Sequence, residues 1–155
     1  EVVVPVITEL LARVKRGAVF GFPPNIWLLP PPDALGGVYV PAGCGRSKWG
    51  FTGFMPVCLY GTAPNLQNGA RPTCLRSTDV AQESEHPTPK PEQWLNWLVS
   101  LASEQSDTIL DPFMGSGTTL VAAKLQGRKA VGIEINEQYC AEAVRRLAQG
   151  VLLAV

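Results

Sequence analysis

The nine residues Asp111-Pro112-Phe113-Met114-Gly115-Ser116-Gly117-Thr118-Thr119 constrain the fold more than any other stretch of this chain. They stand between Thr108-Ile109-Leu110, which has strand composition, and Leu120-Val121-Ala122-Ala123-Lys124-Leu125, which continues as a helix. Two glycines two apart let the backbone turn sharply and approach a ligand, because neither carries a Cβ. The helix that follows aims its free N–H groups at whatever is bound there. Strand, glycine turn and helix in that order predict an α/β chain with a nucleotide-type site.

Three kinds of site share this geometry. A P-loop needs Gly-Lys followed by Ser or Thr, because the lysine reaches the terminal phosphates. Gly117 is followed by Thr118 and Thr119 instead, which argues against a nucleoside triphosphate. The dinucleotide fingerprint needs a third glycine where helix and strand pack closely, and Leu120 occupies that position. The third kind places a carboxylate, here Asp111, at the strand's end within reach of a bound ammonium. It suits S-adenosylmethionine, which is cationic at its amine and its sulfonium.

The same nine residues resemble the cofactor motif of the DNA amino-methyltransferases, which methylate adenine N6 or cytosine N4. His86-Pro87-Thr88-Pro89-Lys90-Pro91 resembles the family's His-Pro-Thr-x-Lys-Pro segment. Ala130-Val131-Gly132-Ile133-Glu134 resembles its second strand, which ends in an acid. The matches follow the family's order over about residues 86 to 148, with the Lys-Pro segment ahead of the glycine loop, as in its permuted β class. The resemblance implies an α/β, Rossmann-like methyltransferase fold with a mostly parallel sheet flanked by helices. It implies S-adenosylmethionine as cofactor and double-stranded DNA, bacterial or phage, as substrate.

On that resemblance the cofactor-binding residues are Thr88, Lys90, Asp111, Phe113, Gly115, Ser116, Gly117, Thr118 and Glu134. Lys90 would pair with the methionine carboxylate, and Thr88 would hydrogen-bond it or shape the turn. Asp111 accepts from the cofactor's amine or from its own loop, the plain alternative being a carboxylate favoured by the helix dipole. Two roles suit Thr118, a helix cap or a donor to the cofactor's carboxylate. Glu134 lies seventeen positions after Gly117, near the spacing at which an acid accepts from both ribose hydroxyls. Phe113 packs beside the cofactor or, reading identically, within the core.

The length of 155 residues suits one domain, and 46% hydrophobic with 17% charged residues describes a globular core. No apolar stretch approaches the ~20 residues of a membrane span, and no signal peptide opens the chain, so the expected setting is cytoplasmic. Cys44, Cys58, Cys74 and Cys140 lack metal-type spacing and His86 is the sole histidine, so no metal site is expected. The zero formal charge argues mildly against a free-standing nucleic-acid binder.

Apolar periodicity predicts a first helix over Val3 to Arg16, with Gly17 beyond it, then a strand over Gly17 to Phe22. Residues 23–37 are Pro-rich loop. Val38 to Val40 and Met55 to Tyr60 read as antiparallel strands, joined by a Gly-rich loop holding Arg46, Lys48 and Trp49. That loop suits DNA contact and ordinary loop chemistry alike. Helices are expected over Glu92 to Glu104, with Trp94, Leu95, Trp97, Leu98 and Leu101 as its apolar stripe, and from the cap Asn136 to Gln149. The expected organisation is a catalytic subdomain part over 1–60, a short linker or reduced target-recognition region over 61–85, and a cofactor-binding subdomain over 86–150.

The family orients the target amine with a four-residue loop, Asp, Asn or Ser followed by Pro-Pro and an aromatic. No such tetrad occurs here; Phe22-Pro23-Pro24-Asn25 and Leu29-Pro30-Pro31-Pro32-Asp33 put the polar residue on the wrong side. No catalytic residue is therefore assigned. In the permuted order the tetrad's strand would precede residue 1, so the chain is expected to lack that strand and to be the carboxyl-terminal part of a methyltransferase, with a missing N-terminal part or a homodimer as possible partners. A non-catalytic cofactor- or partner-binding module, and a methyltransferase acting on RNA or a small molecule, are the alternatives.

Overall fold

The computed structural model describes residues 3–21, 25–64, 71–79 and 90–149. The chain forms two compact units, Glu1–Thr78 and Asp79–Val155.

The first unit opens with helix α1 (Val3–Leu11) and strand β1 (Arg16–Phe20). A single 3-10 turn at Asn25–Leu28 leads to β2 (Ala34–Tyr39), followed by β3 (Gly45–Ser47), β4 (Gly50–Thr52), β5 (Phe54–Gly61) and β6 (Cys74–Arg76). Four of these strands make a sheet in the order β1-β5-β2-β6, while β3 and β4 pair as a separate hairpin. β5 is antiparallel to both β1 and β2, and β6 lies parallel to β2. Val38, Val57 and Cys58 are buried at the centre of this sheet.

The expected α1 is longer than the helix observed, which stops at Leu11, and the four residues after it form a turn. β2 is longer than expected and takes in Gly36 and Gly37, which the sequence assigns to loop. Both glycines serve close approach: a Cβ on Gly36 would run into the Thr73 carbonyl, and one on Gly37 into the Phe54 ring. A pattern read as a break is thus what lets three strands meet.

The second unit holds α2 (Glu92–Ala102), β7 (Thr108–Asp111), α3 (Thr118–Leu125), β8 (Lys129–Gly132) and α4 (Glu137–Ala148). β7 and β8 pair in parallel, from Thr108 opposite Lys129 to Asp111 opposite Gly132. Alternation along both strands puts Ile109 and Ala130 toward the interior and leaves Leu110 and Val131 exposed. The core is built from Trp94, Leu95, Leu98, Val99 and Leu101 of α2 with Leu120, Ala122 and Ala123 of α3. Each fully buried Leu or Val contributes about 1.5–3 kcal/mol. Trp97, expected in the same stripe, is part-buried.

The chain is of the α/β class, but the expectation of a mostly parallel sheet needs correcting for the first unit. Among the described residues, β7–β8 and β2–β6 are parallel, and β1–β5, β2–β5 and β3–β4 are antiparallel. The reason is connectivity. A parallel pair needs a crossover, which α3 supplies between β7 and β8, whereas the strands from β2 to β5 follow one another without a helix.

Candidate cofactor site

The glycine loop follows β7 directly, as the sequence predicts. Gly115 has φ 51° and Gly117 φ 79°, the left-handed region where a side chain is strained. Gly117 is also the N-cap of α3, and a Cβ there would stand 2.8 Å from the Ala143 Cβ of α4. Thr118 is the first helical residue, and Gly117 offers no side-chain cap, so the capping role considered for Thr118 is not used. Leu120, which displaces the third glycine of the dinucleotide pattern, packs where a Cβ of Gly132 would be. The small residue that close packing demands therefore sits on β8 rather than on the helix.

Two strand ends present carboxylates to this loop. The Asp111 Oδ1 accepts from the Phe113 N–H at 3.1 Å, closing the turn at the end of β7. The Glu134 Oε2 accepts from the Gly115 N–H at 3.0 Å, and its Oε1 accepts from the Ile135 and Asn136 N–H groups at 2.9 and 2.8 Å. A single side chain beyond β8 thus holds the glycine loop and the entry to α4 in register. Asn136 then caps α4, accepting from the Gln138 N–H at 2.9 Å. Backbone bonds from Ile133 N–H to the Asp111 carbonyl and from Met114 N–H to the Ile133 carbonyl, 2.9 and 3.0 Å, carry the parallel ladder into the site.

Lys90 feels the same carboxylate end. Burial lowers the pKa of its ammonium below the ordinary lysine value, and the charge of Asp111 pushes it back up. The structure thereby brings together Lys90, Asp111, Gly115, Gly117 and Glu134 within the second unit. Phe113 is half exposed at the turn and so is not a core aromatic. Thr88 and the His86-to-Pro89 part of its segment lie outside the described residues.

Ser116 and Thr118 are buried and share one partner that the sequence does not announce. Arg146 of α4 donates through Nη1 to the Ser116 carbonyl (2.8 Å), the Ser116 Oγ (3.1 Å) and the Thr118 Oγ1 (3.1 Å). Its Nη2 pairs with the Glu92 carboxylate of α2 at 2.9 Å. A guanidinium only donates, so both hydroxyl oxygens accept from it. In sequence, Arg146 reads as a cation complementing a helix C-terminus. Ile135, which the sequence does not mark as a site residue either, follows Glu134 and is fully exposed, an unusual position for a large aliphatic. An aliphatic immediately after a strand-ending acid was the available signal.

Among the described residues, no group of three His, Cys, Asp or Glu is placed to hold a metal, and no helix is long and apolar enough to cross a membrane.

The family model of the N6 and N4 DNA methylases matches residues 23–145. A type II methyltransferase of Lactococcus lactis subsp. cremoris, M2.LlaDCHI, is 47% identical over 66 residues, which are 43% of this chain and 24% of that protein. The DNA adenine methyltransferase YhdJ of Escherichia coli is 48% identical over 62 residues, 40% of this chain and 21% of that protein. The chain thus spans no more than 24% of the length of these two curated relatives. The solved structure of an M1.HpyAVI–SAM complex superposes with a TM-score of 0.62 at 21% identity, over 94% of this chain and 69% of that one. The cytosine-N4-specific PvuII DNA methyltransferase gives 0.60 at 16% identity, over 76% and 51%. At such identities these two likenesses speak to the fold. With a family model spanning the glycine loop, Glu134 and most of both units, the chain belongs to the N6 and N4 DNA methylases.

Proposed function

We propose that this chain carries the S-adenosylmethionine-binding half of a DNA methyltransferase acting on adenine N6 or cytosine N4. The observation that carries this reading is the Glu134 carboxylate bonded to the Gly115 N–H, which joins two strand ends around one glycine loop. The donor set suits this cofactor. Lys90 supplies a cation for the methionine carboxylate, and the Ser116 and Thr118 hydroxyls, held as acceptors by Arg146, keep protons to donate. Asp111 offers a carboxylate to the ammonium. Glu134 has two oxygens with about four lone-pair directions, and three of its bonds go to the Gly115, Ile135 and Asn136 N–H groups that set the loop and the start of α4. Phe113 and Ile135 present exposed apolar faces on either side of that carboxylate in sequence and suit the adenine.

When bound, the cofactor supplies a methyl group on a sulfonium, poised for in-line displacement. The chain's own residues bind and orient it. Presenting the target is a separate task, because an exocyclic amine whose lone pair is delocalised into a ring must be gripped and rehybridised. None of the 155 residues forms the tetrad that does this in the family. Transfer therefore requires a base-presenting loop from outside these residues, in a longer chain or a partner. A cytoplasmic setting fits four free cysteines.

Titration with S-adenosylmethionine, combined with a labelled-methyl assay on unmethylated duplex DNA, tests the reading. We expect saturable cofactor binding by the 155-residue chain and transfer only when a tetrad-bearing segment is added. Absence of cofactor binding overturns the proposal, and labelling of RNA in preference to DNA overturns the substrate class.

A further inference from the structure

The zero net charge of the chain conceals a division between its two units. Residues 1–78 hold seven Lys and Arg against three Asp and Glu, and residues 79–155 hold six against ten. The first unit is thus +4 and the second −4. The surplus is concentrated further. From Ala34 to Thr78 there is no acidic residue at all, while Arg46, Lys48, Arg71 and Arg76 fall within that stretch.

The sheet arranges this acid-free stretch beside exposed aromatics. Tyr39, the last residue of β2, lies opposite Phe54 of β5 on one side and Arg76 of β6 on the other. Tyr39 is 49% exposed and Phe54 41%, and Arg76 is exposed as well. Directly opposed residues share a face, so Phe54, Tyr39 and Arg76 form one row across the end of the sheet. The ladder then continues through Val40 N–H to the Gly53 carbonyl (2.8 Å) and Cys44 N–H to the Thr52 carbonyl (2.7 Å) into the β3–β4 hairpin. Ser47 pairs with Gly50, which leaves Lys48 and Trp49 as the two residues of the tip. Trp49 is fully exposed and Lys48 is exposed beside it.

We propose that this arm, the Phe54–Tyr39–Arg76 row with the Lys48–Trp49 tip, is a contact surface for duplex DNA. The inference rests on the methyltransferase reading for its choice of nucleic acid but not on the cofactor site, which lies in the other unit. An indole at a two-residue hairpin tip is narrow enough to enter a groove or wedge against a base step. Every base offers a face to stack on, so such a contact tolerates sequence. The flanking cations meet phosphates, and the absence of carboxylates removes the repulsion that would oppose them. The surface positions the duplex; it makes no claim on which bases are read.

The test uses the full 155-residue chain and a fluorescently labelled unmethylated duplex, followed by anisotropy at several salt concentrations. Trp49→Ala should weaken binding roughly tenfold, the scale of one lost stacking contact. Lys48→Gln should weaken it and reduce the slope of log affinity against log salt by about one phosphate contact. Trp27→Ala is the control, because Trp27 is 77% exposed in the same unit but stands on the 3-10 turn away from the hairpin in sequence. Cofactor titration of each variant, expected to be unchanged, separates this proposal from the cofactor reading. Wild-type DNA binding by Trp49→Ala overturns the proposal. So does an equal loss in Trp27→Ala, or preferential binding of Trp49 to single-stranded RNA or to phosphatidylserine vesicles. A wild-type chain that binds cofactor but no DNA overturns the surface alone; one that binds neither overturns both readings.

Discussion

Lys90 illustrates how one residue can act in opposite senses on stability and on ligand affinity. Burial lowers its pKa, and Asp111 partly restores it. Between that lowered value and the ordinary lysine value the unfolded chain binds more protons than the folded one, so stability rises with pH through this window. Affinity for a carboxylate runs the other way, because the charged ammonium is the attracting form. S-adenosylmethionine binding should therefore weaken as pH rises through the lowered value, earlier than an ordinary lysine allows. Asp111→Asn removes the opposing charge and should move this alkaline limb to still lower pH. Cofactor affinity measured across pH for wild type and Asp111→Asn checks it; a limb that stays in place contradicts the role given to Lys90. The Lys-Pro segment points to Lys90 as a partner for the methionine carboxylate, yet nothing in the sequence states that Lys90 is part-buried and feels the charge of Asp111.

At the scale of elements, Arg146 ties three together: the start of α2 through Glu92, the glycine loop through Ser116, and α3 through Thr118. Removing it leaves Glu92 and two inward hydroxyls without their shared donor. Arg146→Met should cost about 1.5–3 kcal/mol of stability in urea denaturation, the scale of hydrogen bonds to a charged group. Arg146→Lys should recover part of that stability but little of the cofactor affinity, since an ammonium cannot reproduce the fork. Equal recovery of both would show that Arg146 supplies charge alone. The elements most legible in the sequence are those fixed by local chemistry: β7, the glycine turn, and α4 with its Asn136 cap. β6 was not legible, because a three-residue strand is defined by its distant partner β2 rather than by its own pattern. The β3–β4 hairpin is a local pairing, but its strands are three residues each and its Gly-rich composition reads as loop, and Gly36 and Gly37 read as a break although they permit close strand approach. In the site, Asp111 stands out by its place at a strand end and Glu134 by its spacing together with the resemblance, whereas Arg146 does not, because a basic residue near a helix C-terminus has an ordinary explanation.

At the scale of the whole molecule, two units of opposite charge divide the tasks. The acidic second unit carries the glycine loop and its carboxylates, and the basic first unit carries the aromatic arm. A summed charge of zero hides this division, which is why composition argued against nucleic acid while its distribution argues for it. As proposed above, the loop from Asp111 to Thr118 and Glu134 holds S-adenosylmethionine. The most direct measurement is a titration of the isotope-labelled chain followed through its backbone amide resonances. Saturable shifts are expected, largest at Gly115, Gly117, Thr118 and Ile135. Shifts confined to residues 1–78, or none at saturating cofactor, would contradict it.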